Sequence, residues 1–198
     1  MSEVKMLDVN GFSGKSIRLS DYTHILAYHA CRSIDEHCFR DQGLKPYTQE
    51  EALKEAVQKL ESARVDRRQI ESKFYQLWAE TYTHSPSRVW LMLSTKEFLS
   101  DSSHYLIYGS EFMNALAMRL GCRDELSKIG KPMIIKCAVP ILDIAPLWLK
   151  DIGKDIVSHN TDCRSIAVNS VAPEHILDIL YPTGYVIDPY YQTKFKLG

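Results

Sequence analysis

The run Ile25-Leu26-Ala27-Tyr28-His29-Ala30-Cys31-Arg32, followed by Ile34 and then Gly43-Leu44-Lys45-Pro46, decides how the rest of the chain is read. It is short and apolar, with Asp21-Tyr22-Thr23 before it and Ser33-Ile34-Asp35-Glu36 after it. That length and those flanks suit a buried strand better than a helix. Ser33 or Asp35 is placed to cap a short helix that ends at Gly43, where a residue with positive φ is usual. His29 and Arg32 then stand at the end of a core strand, where the chain turns, and such ends commonly carry ligand-binding groups. Read from the residues alone, His29 also fits a core imidazole with one nitrogen bonded to a backbone carbonyl.

Before this strand, Gly11, Ser13, Gly14 and Ser16 mark residues 1–20 as an irregular lead-in. After it, Thr48-Gln49-Glu50-Glu51 is a capping box, in which hydroxyl and carboxylate satisfy each other's backbone donors. Ala52, Leu53, Ala56, Val57, Leu60 and Ala63 then recur at helical spacing, with Glu55, Lys59 and Glu61 facing water. Asp66 caps a second helix whose Ile70, Phe74, Leu77, Trp78 and Tyr82 form one apolar stripe suited to helix-pair packing. His84-Ser85-Pro86-Ser87 breaks the pattern, and Arg88 to Ser94 reads as a strand. His104 to Glu111 opens a helix that runs through Met113, Leu116, Ala117 and Leu120 and stops at Gly121. Ser110 is a natural N-cap there, and Glu111 in the first turn is favoured by the helix dipole, typically by about 0.3–1 kcal/mol. That turn also offers backbone N–H groups to a phosphate.

The last third reads mainly as sheet. Met133 to Pro140 is a strand, Ile141 to Trp148 a crossover, and Ser165 to Asn169 and Tyr185 to Pro189 are further strands. Between those two, Pro173 fits the first position of a short helix and Glu174 its acidic first turn. Strands separated by helical insertions, with the sheet concentrated late in the chain, define an α+β class.

At 198 residues the chain reads as one domain, 1–198, with room for a substantial core. A formal net charge of -1 supplies no global basic footprint for nucleic acid. No apolar run approaches the roughly 20 residues needed to span a bilayer, and Met1-Ser2-Glu3-Val4-Lys5 leads into no apolar segment of the secretory kind. Cys31, Cys38, Cys122, Cys137 and Cys163 include no CxxC and no zinc-spaced histidine pair. Reduced thiols, a cytoplasmic location, no metal and no membrane partner are therefore expected.

Tyr28-His29-Ala30-Cys31-Arg32, with Gly43-Leu44-Lys45-Pro46 behind it, resembles the first strand of the ADP-ribosyltransferase superfamily. In the poly(ADP-ribose) polymerases and RNA 2'-phosphotransferases that strand reads aromatic-His-small-small-Arg or Thr, followed by a short helix and a Gly-Leu pair. Near the C-terminus, Val171-Ala172-Pro173-Glu174-His175-Ile176 is similar to the Pro-Glu-x-Ile segment of many members. The resemblance covers roughly residues 25–46 and 88–180, leaving the helical pair 48–82 unmatched. It implies a split antiparallel-sheet ADP-ribosyltransferase-like fold with a helical insertion after the first strand, at about 48–82.

The same resemblance implies NAD as substrate and His29, Ala30, Cys31, Arg32, Trp90 and Ser110 as its contacts. The His29 ring would bond ribose hydroxyls, and Arg32 would pair with the pyrophosphate through its planar five-donor guanidinium. Trp90 or Tyr108 would stack on nicotinamide, and a helix of the type opening at Ser110 would pack beneath the cofactor. The family's glutamate normally opens the strand before the Pro-Glu turn, where this chain reads His159-Asn160-Thr161-Asp162-Cys163-Arg164-Ser165. Asp162 is the carboxylate in that stretch, and Glu174 and Glu111 are the other candidates for the role. Glutamate-free, phosphotransferase-like chemistry is a further alternative.

Cleavage of the nicotinamide–ribose bond passes through a sugar cation like that of glycoside hydrolysis. A carboxylate near the ribose stabilises that developing charge. The expected activity is transfer of ADP-ribose to a macromolecular acceptor, protein or nucleic acid, as in toxins and antiviral (phage-defence) effectors, with an antitoxin as a possible partner. The alternatives are a non-catalytic binding or regulatory α+β protein, an RNA 2'-phosphotransferase-like enzyme and an NAD glycohydrolase.

Overall fold

The structure, a computed structural model, describes residues 4–11, 18–82, 88–157 and 164–198. Its strands and helices follow in the order β1 (Met6–Leu7), β2 (His24–Ser33), α1 (His37–Gln42), α2 (Gln49–Ser62), α3 (Arg67–Thr81) and β3 (Val89–Met92). Then come α4 (His104–Tyr108), α5 (Glu111–Leu120), α6 (Arg123–Leu126), β4 (Lys131–Pro140) and α7 (Pro146–Val157). The chain closes with β5 (Ser165–Val168), β6 (Ile176–Leu180), β7 (Gly184–Asp188) and β8 (Thr193–Leu197). Mixed helix and antiparallel sheet make this an α+β protein.

The strand quoted first is the centre of the sheet. β2 pairs antiparallel with β4 along its whole length, from His24 opposite Pro140 to Ser33 opposite Lys131. The strand order is β5-β3-β2-β4-β6, and β1 adds to β2 in parallel with Met6 opposite His24. β7 and β8 form a separate hairpin sheet. Because alternate residues of a strand point to opposite faces, β2 feeds two cores. Leu26, Tyr28 and Ala30 join α2, α3, α4, α5 and the β7–β8 hairpin on one side. Ile25, Ala27 and Cys31 join Leu7, Leu44, Val171 and the apolar side of α7 on the other.

The helices start and stop where their residues dictate. Thr48 Oγ1 accepts from Glu51 N–H at 3.2 Å and the Glu51 carboxylate accepts from Thr48 N–H at 2.9 Å, which closes the capping box of α2. Lys45, bonded to that carboxylate, and the Thr48 donors hold Glu51 down to about 2. Asp66 caps α3, whose Phe74 and Trp78 pack with Phe112 of α5. α1 ends at Gly43, with φ 72°, and α5 at Gly121, with φ 66°. Neither Ser33 nor Asp35 is the N-cap of α1: that position is Glu36, which makes no side-chain cap bond, while the Asp35 carboxylate one residue earlier accepts from His37 N–H at 2.9 Å.

Five features differ from the sequence reading. The lead-in contains β1, a two-residue strand too short for alternation to show. The crossover after β4 continues into α7, which starts with Pro146 at its first position and turns Leu149, Ile152 and Ile156 inward. Residues 176–180 form β6 rather than continuing a helix from Pro173, and β8 completes a hairpin with β7. The helix expected from His104 is two, broken at Gly109, where φ is 97°. Residues 83–87 lie outside the described residues, and so do residues 158–163, Asp162 among them.

Candidate active site at the β2–β3 junction

β2 and β3 share a single register position, Tyr28 opposite Met92. Continued pairing would set Trp90 opposite Ala30, but the Trp90 carbonyl instead meets the His29 ring, with Nδ1 2.9 Å from the oxygen. A carbonyl only accepts, so Nδ1 carries the proton and the neutral ring presents Nε2 as an acceptor. Nε2 takes no hydrogen bond among the described residues. The imidazole is half-buried. Burial lowers its pKa, opposed by the bond to Trp90, so near neutral pH it is an uncharged, oriented acceptor. The Trp90 ring is 53% exposed and meets Trp148 of α7 edge-on, with centroids 5.7 Å apart.

The two segments that carried the resemblance are in contact. Leu44 N–H donates to the Val171 carbonyl and Val171 N–H to the Leu44 carbonyl, both at 2.8 Å. This bridge ties the end of α1 to the turn Pro173–His175 that carries Glu174, with Pro173 at its first position. Gly43 is required there. A Cβ on it would lie 2.0 Å from the Val171 oxygen.

The expected site residues divide between the two faces of the sheet. His29 and Cys31 alternate onto the face of the second core, whereas Ala30 and Arg32 point to the first. Ala30 is buried against the helices. The Arg32 guanidinium, 8% exposed, donates from Nε to the Ile129 carbonyl at 3.0 Å and from Nη1 to the Leu106 carbonyl at 3.1 Å. It holds α4 and the turn before β4 onto the end of β2, and it does not reach the side where His29 lies. Burial pushes the Cys31 thiol up to about 12, which leaves it protonated and inert as a nucleophile.

Tyr108 and Trp90 are separated by their surroundings. Tyr108 is buried, its hydroxyl donates to Asp188, and its ring lies under the Arg123 guanidinium. Trp90, by contrast, is exposed, and its carbonyl meets the His29 ring. Ser110 caps α5 by accepting from Met113 N–H at 3.1 Å. Glu111 accepts from His104 Nε2 at 2.9 Å, and α5 packs into the first core, opposite the face of His29. Glu174 is exposed in the turn before Ile176, a second-core residue. Asp162 lies outside the described residues. Trp148 went unmarked in the sequence, where the inward spacing of Leu149, Ile152 and Ile156 behind Pro146 was the available signal.

Among the described residues, no group of three or more His, Cys, Asp or Glu side chains is disposed to hold a metal ion, and no helix is long and apolar enough to cross a membrane. No family model, curated protein or solved structure matches the chain.

The lowered His29 pKa has a consequence for stability. An imidazole harder to protonate folded than unfolded leaves the unfolded state binding more protons once pH falls below the free value of 6.5. Stability is therefore full above about 6.5 and declines as pH drops through it towards the folded value. His24, lowered by burial and then by His175, acts in the same direction. Denaturant midpoints measured between pH 7.5 and 5 are expected to fall, and to fall less steeply in His29→Gln. An unchanged slope in that variant would remove His29 from the effect.

Proposed function

We propose that the protein transfers ADP-ribose from NAD to a macromolecular acceptor, with NAD held at the β2–β3 junction against His29 and Trp90. One observation carries the reading. The His29 ring is fixed through Nδ1–H on the Trp90 carbonyl, which leaves Nε2 as an acceptor beside an exposed indole. An acceptor nitrogen held in one orientation suits a ribose hydroxyl, and an exposed indole suits the nicotinamide ring. The contact of Gly43-Leu44 with Val171-Ala172-Pro173 supports the same reading, since the two stretches that resemble the family then touch each other.

In that reaction the bond between ribose C1' and the nicotinamide nitrogen breaks, and its electron pair leaves with neutral nicotinamide. A lone pair of the acceptor forms the new bond to C1', and the acceptor's proton passes to a carboxylate. Glu174 and Asp162 are the carboxylates this proposal retains for that role and for stabilising the sugar cation. Glu111 is left to its helix-start and His104 contacts. With Arg32 committed to backbone carbonyls, the pyrophosphate rests on other groups than the resemblance implies.

That commitment of Arg32 favours the second reading, a protein on the same scaffold that binds a ligand without turning it over. Incubation with NAD and cell lysate separates the two. Free nicotinamide together with label carried from NAD onto protein or nucleic acid is the result expected of the transferase. Nicotinamide release without transferred label indicates a glycohydrolase, and NAD binding without release indicates the second reading.

A further inference from the structure

On the other face of the sheet, buried polar groups collect where the β7–β8 turn meets α4, α5 and α6. The Asp188 carboxylate accepts from the Tyr108 hydroxyl and, at 2.9 Å, from Tyr190 N–H. The Tyr190 hydroxyl donates to Glu111 at 3.4 Å, on the carboxylate that also holds His104. Arg123, 6% exposed, lies among three tyrosine rings, its guanidinium carbon 4.4 Å from the centroid of Tyr108, 4.7 Å from Tyr190 and 4.5 Å from Tyr191.

Those rings attract the cation but accept no conventional hydrogen bond. The nearest Asp188 oxygen is 3.9 Å from Arg123 Nη2, beyond hydrogen-bond reach. Among the described residues, Nε and Nη2 of Arg123 are buried without a hydrogen-bond partner, as are Asn114 Oδ1 and His104 Nδ1, and the Asp188 carboxylate is only an ion-pair neighbour of Nη2. Nε and Nη2 are the two donors of one edge of the guanidinium, the edge that grips two oxygens of a carboxylate or phosphate side by side. Leaving such a pair buried and unmet is costly. The protein's own carboxylate is already engaged by Tyr108 and Tyr190.

We propose that Arg123 is the base of a binding site for a small oxyanion, a phosphate or carboxylate group, gripped side-on by Nε and Nη2 beneath Tyr190 and Tyr191. Asn114, 2% exposed, reaches the Tyr190 hydroxyl, and its unmet Oδ1 is an acceptor suited to a hydroxyl carried beside the oxyanion. Tyr190 and Tyr191 are half exposed while the guanidinium beneath them is not, so the anion enters as the turn Tyr190–Gln192 lifts. The site faces away from His29 and does not depend on the NAD reading.

The test is a titration of the full chain with inorganic phosphate and, separately, with acetate at matched ionic strength. It follows the Arg123 Nε–H resonance, which is assigned by its loss in Arg123→Lys, and the unfolding midpoint. The expected result is a saturable shift of that resonance with a rise in midpoint, and in Arg123→Lys, which keeps the charge but lacks the fork, an affinity at least about tenfold weaker. The stronger of the two anions identifies the group. No saturable shift with either anion overturns the proposal, as does a stabilisation equal to that given by chloride. Binding of equal strength in Arg123→Lys also overturns it. Should Arg123→Lys fail to fold, the same resonance is assigned through Tyr191→Ala, which leaves the fork intact and is expected to bind at least as tightly.

Discussion

Gly43→Ala is expected to destabilise the protein by about 3 kcal/mol or more, enough to shift its denaturant midpoint far down or to prevent folding. Two costs add. At φ 72° and ψ -156° the backbone occupies a region open essentially to glycine, which costs an L-residue about 1–3 kcal/mol. The new methyl would also lie 2.0 Å from the Val171 carbonyl oxygen, so the reciprocal Leu44–Val171 bonds must open or the turn before Pro173 must move. Overpacking of this kind costs about 1–3 kcal/mol more. Gly121→Ala is the control. Its φ is similarly positive, at 66°, but nothing stands within 4 Å of the added Cβ, so only conformational strain of about 1 kcal/mol is expected. Urea denaturation of the two variants side by side gives the result. Equal losses would mean that the close approach to Val171 contributes nothing.

His29→Ala is expected to lower kcat/KM for nicotinamide release by about 10- to 100-fold, the usual effect of removing one well-placed hydrogen bond to a bound ligand. In the proposed reaction the ring would hold the ribose without reacting with it, so the loss is expected to fall mainly on KM. The Trp90 carbonyl also loses its partner, which makes a second variant informative. His29→Gln retains a side chain that both donates and accepts, and it is expected to recover part of the activity. If both variants turn over NAD at the wild-type rate, His29 is a core imidazole and nothing more.

That alternative was visible in the sequence, and the structure explains why sequence alone left it open. An apolar run ending in His and Arg marks a strand end, but alternation sends Ala30 and Arg32 to one face and His29 to the other. Which face holds a ligand depends on what covers each, and that is decided by helices distant in sequence. Arg32 is taken by the carbonyls of Leu106 and Ile129, residues nothing in the first forty positions announces. The local signals were legible because their physics is local: the Thr48–Glu51 capping box, the Asp66 cap, Ser110 with Met113, and the glycines that end α1 and α5. β1 and β6 were not legible, since short strands at a sheet margin take their conformation from the neighbour they pair with. The Arg123 cluster was also hidden, because its parts come from α4, α5, α6 and the β7–β8 turn, separated by 80 residues between Tyr108 and Asp188.

NAD titration followed at the His29 imidazole nitrogens by NMR addresses the central claim most directly. A ribose hydroxyl donating to Nε2 predicts a saturable shift of the Nε2 resonance, with Nδ1 remaining protonated on the Trp90 carbonyl, and indole signals of Trp90 that move in parallel. Resonances of His29 and Trp90 that stay fixed at saturating NAD would contradict the claim and leave the His29–Trp90 contact as packing between β2 and β3.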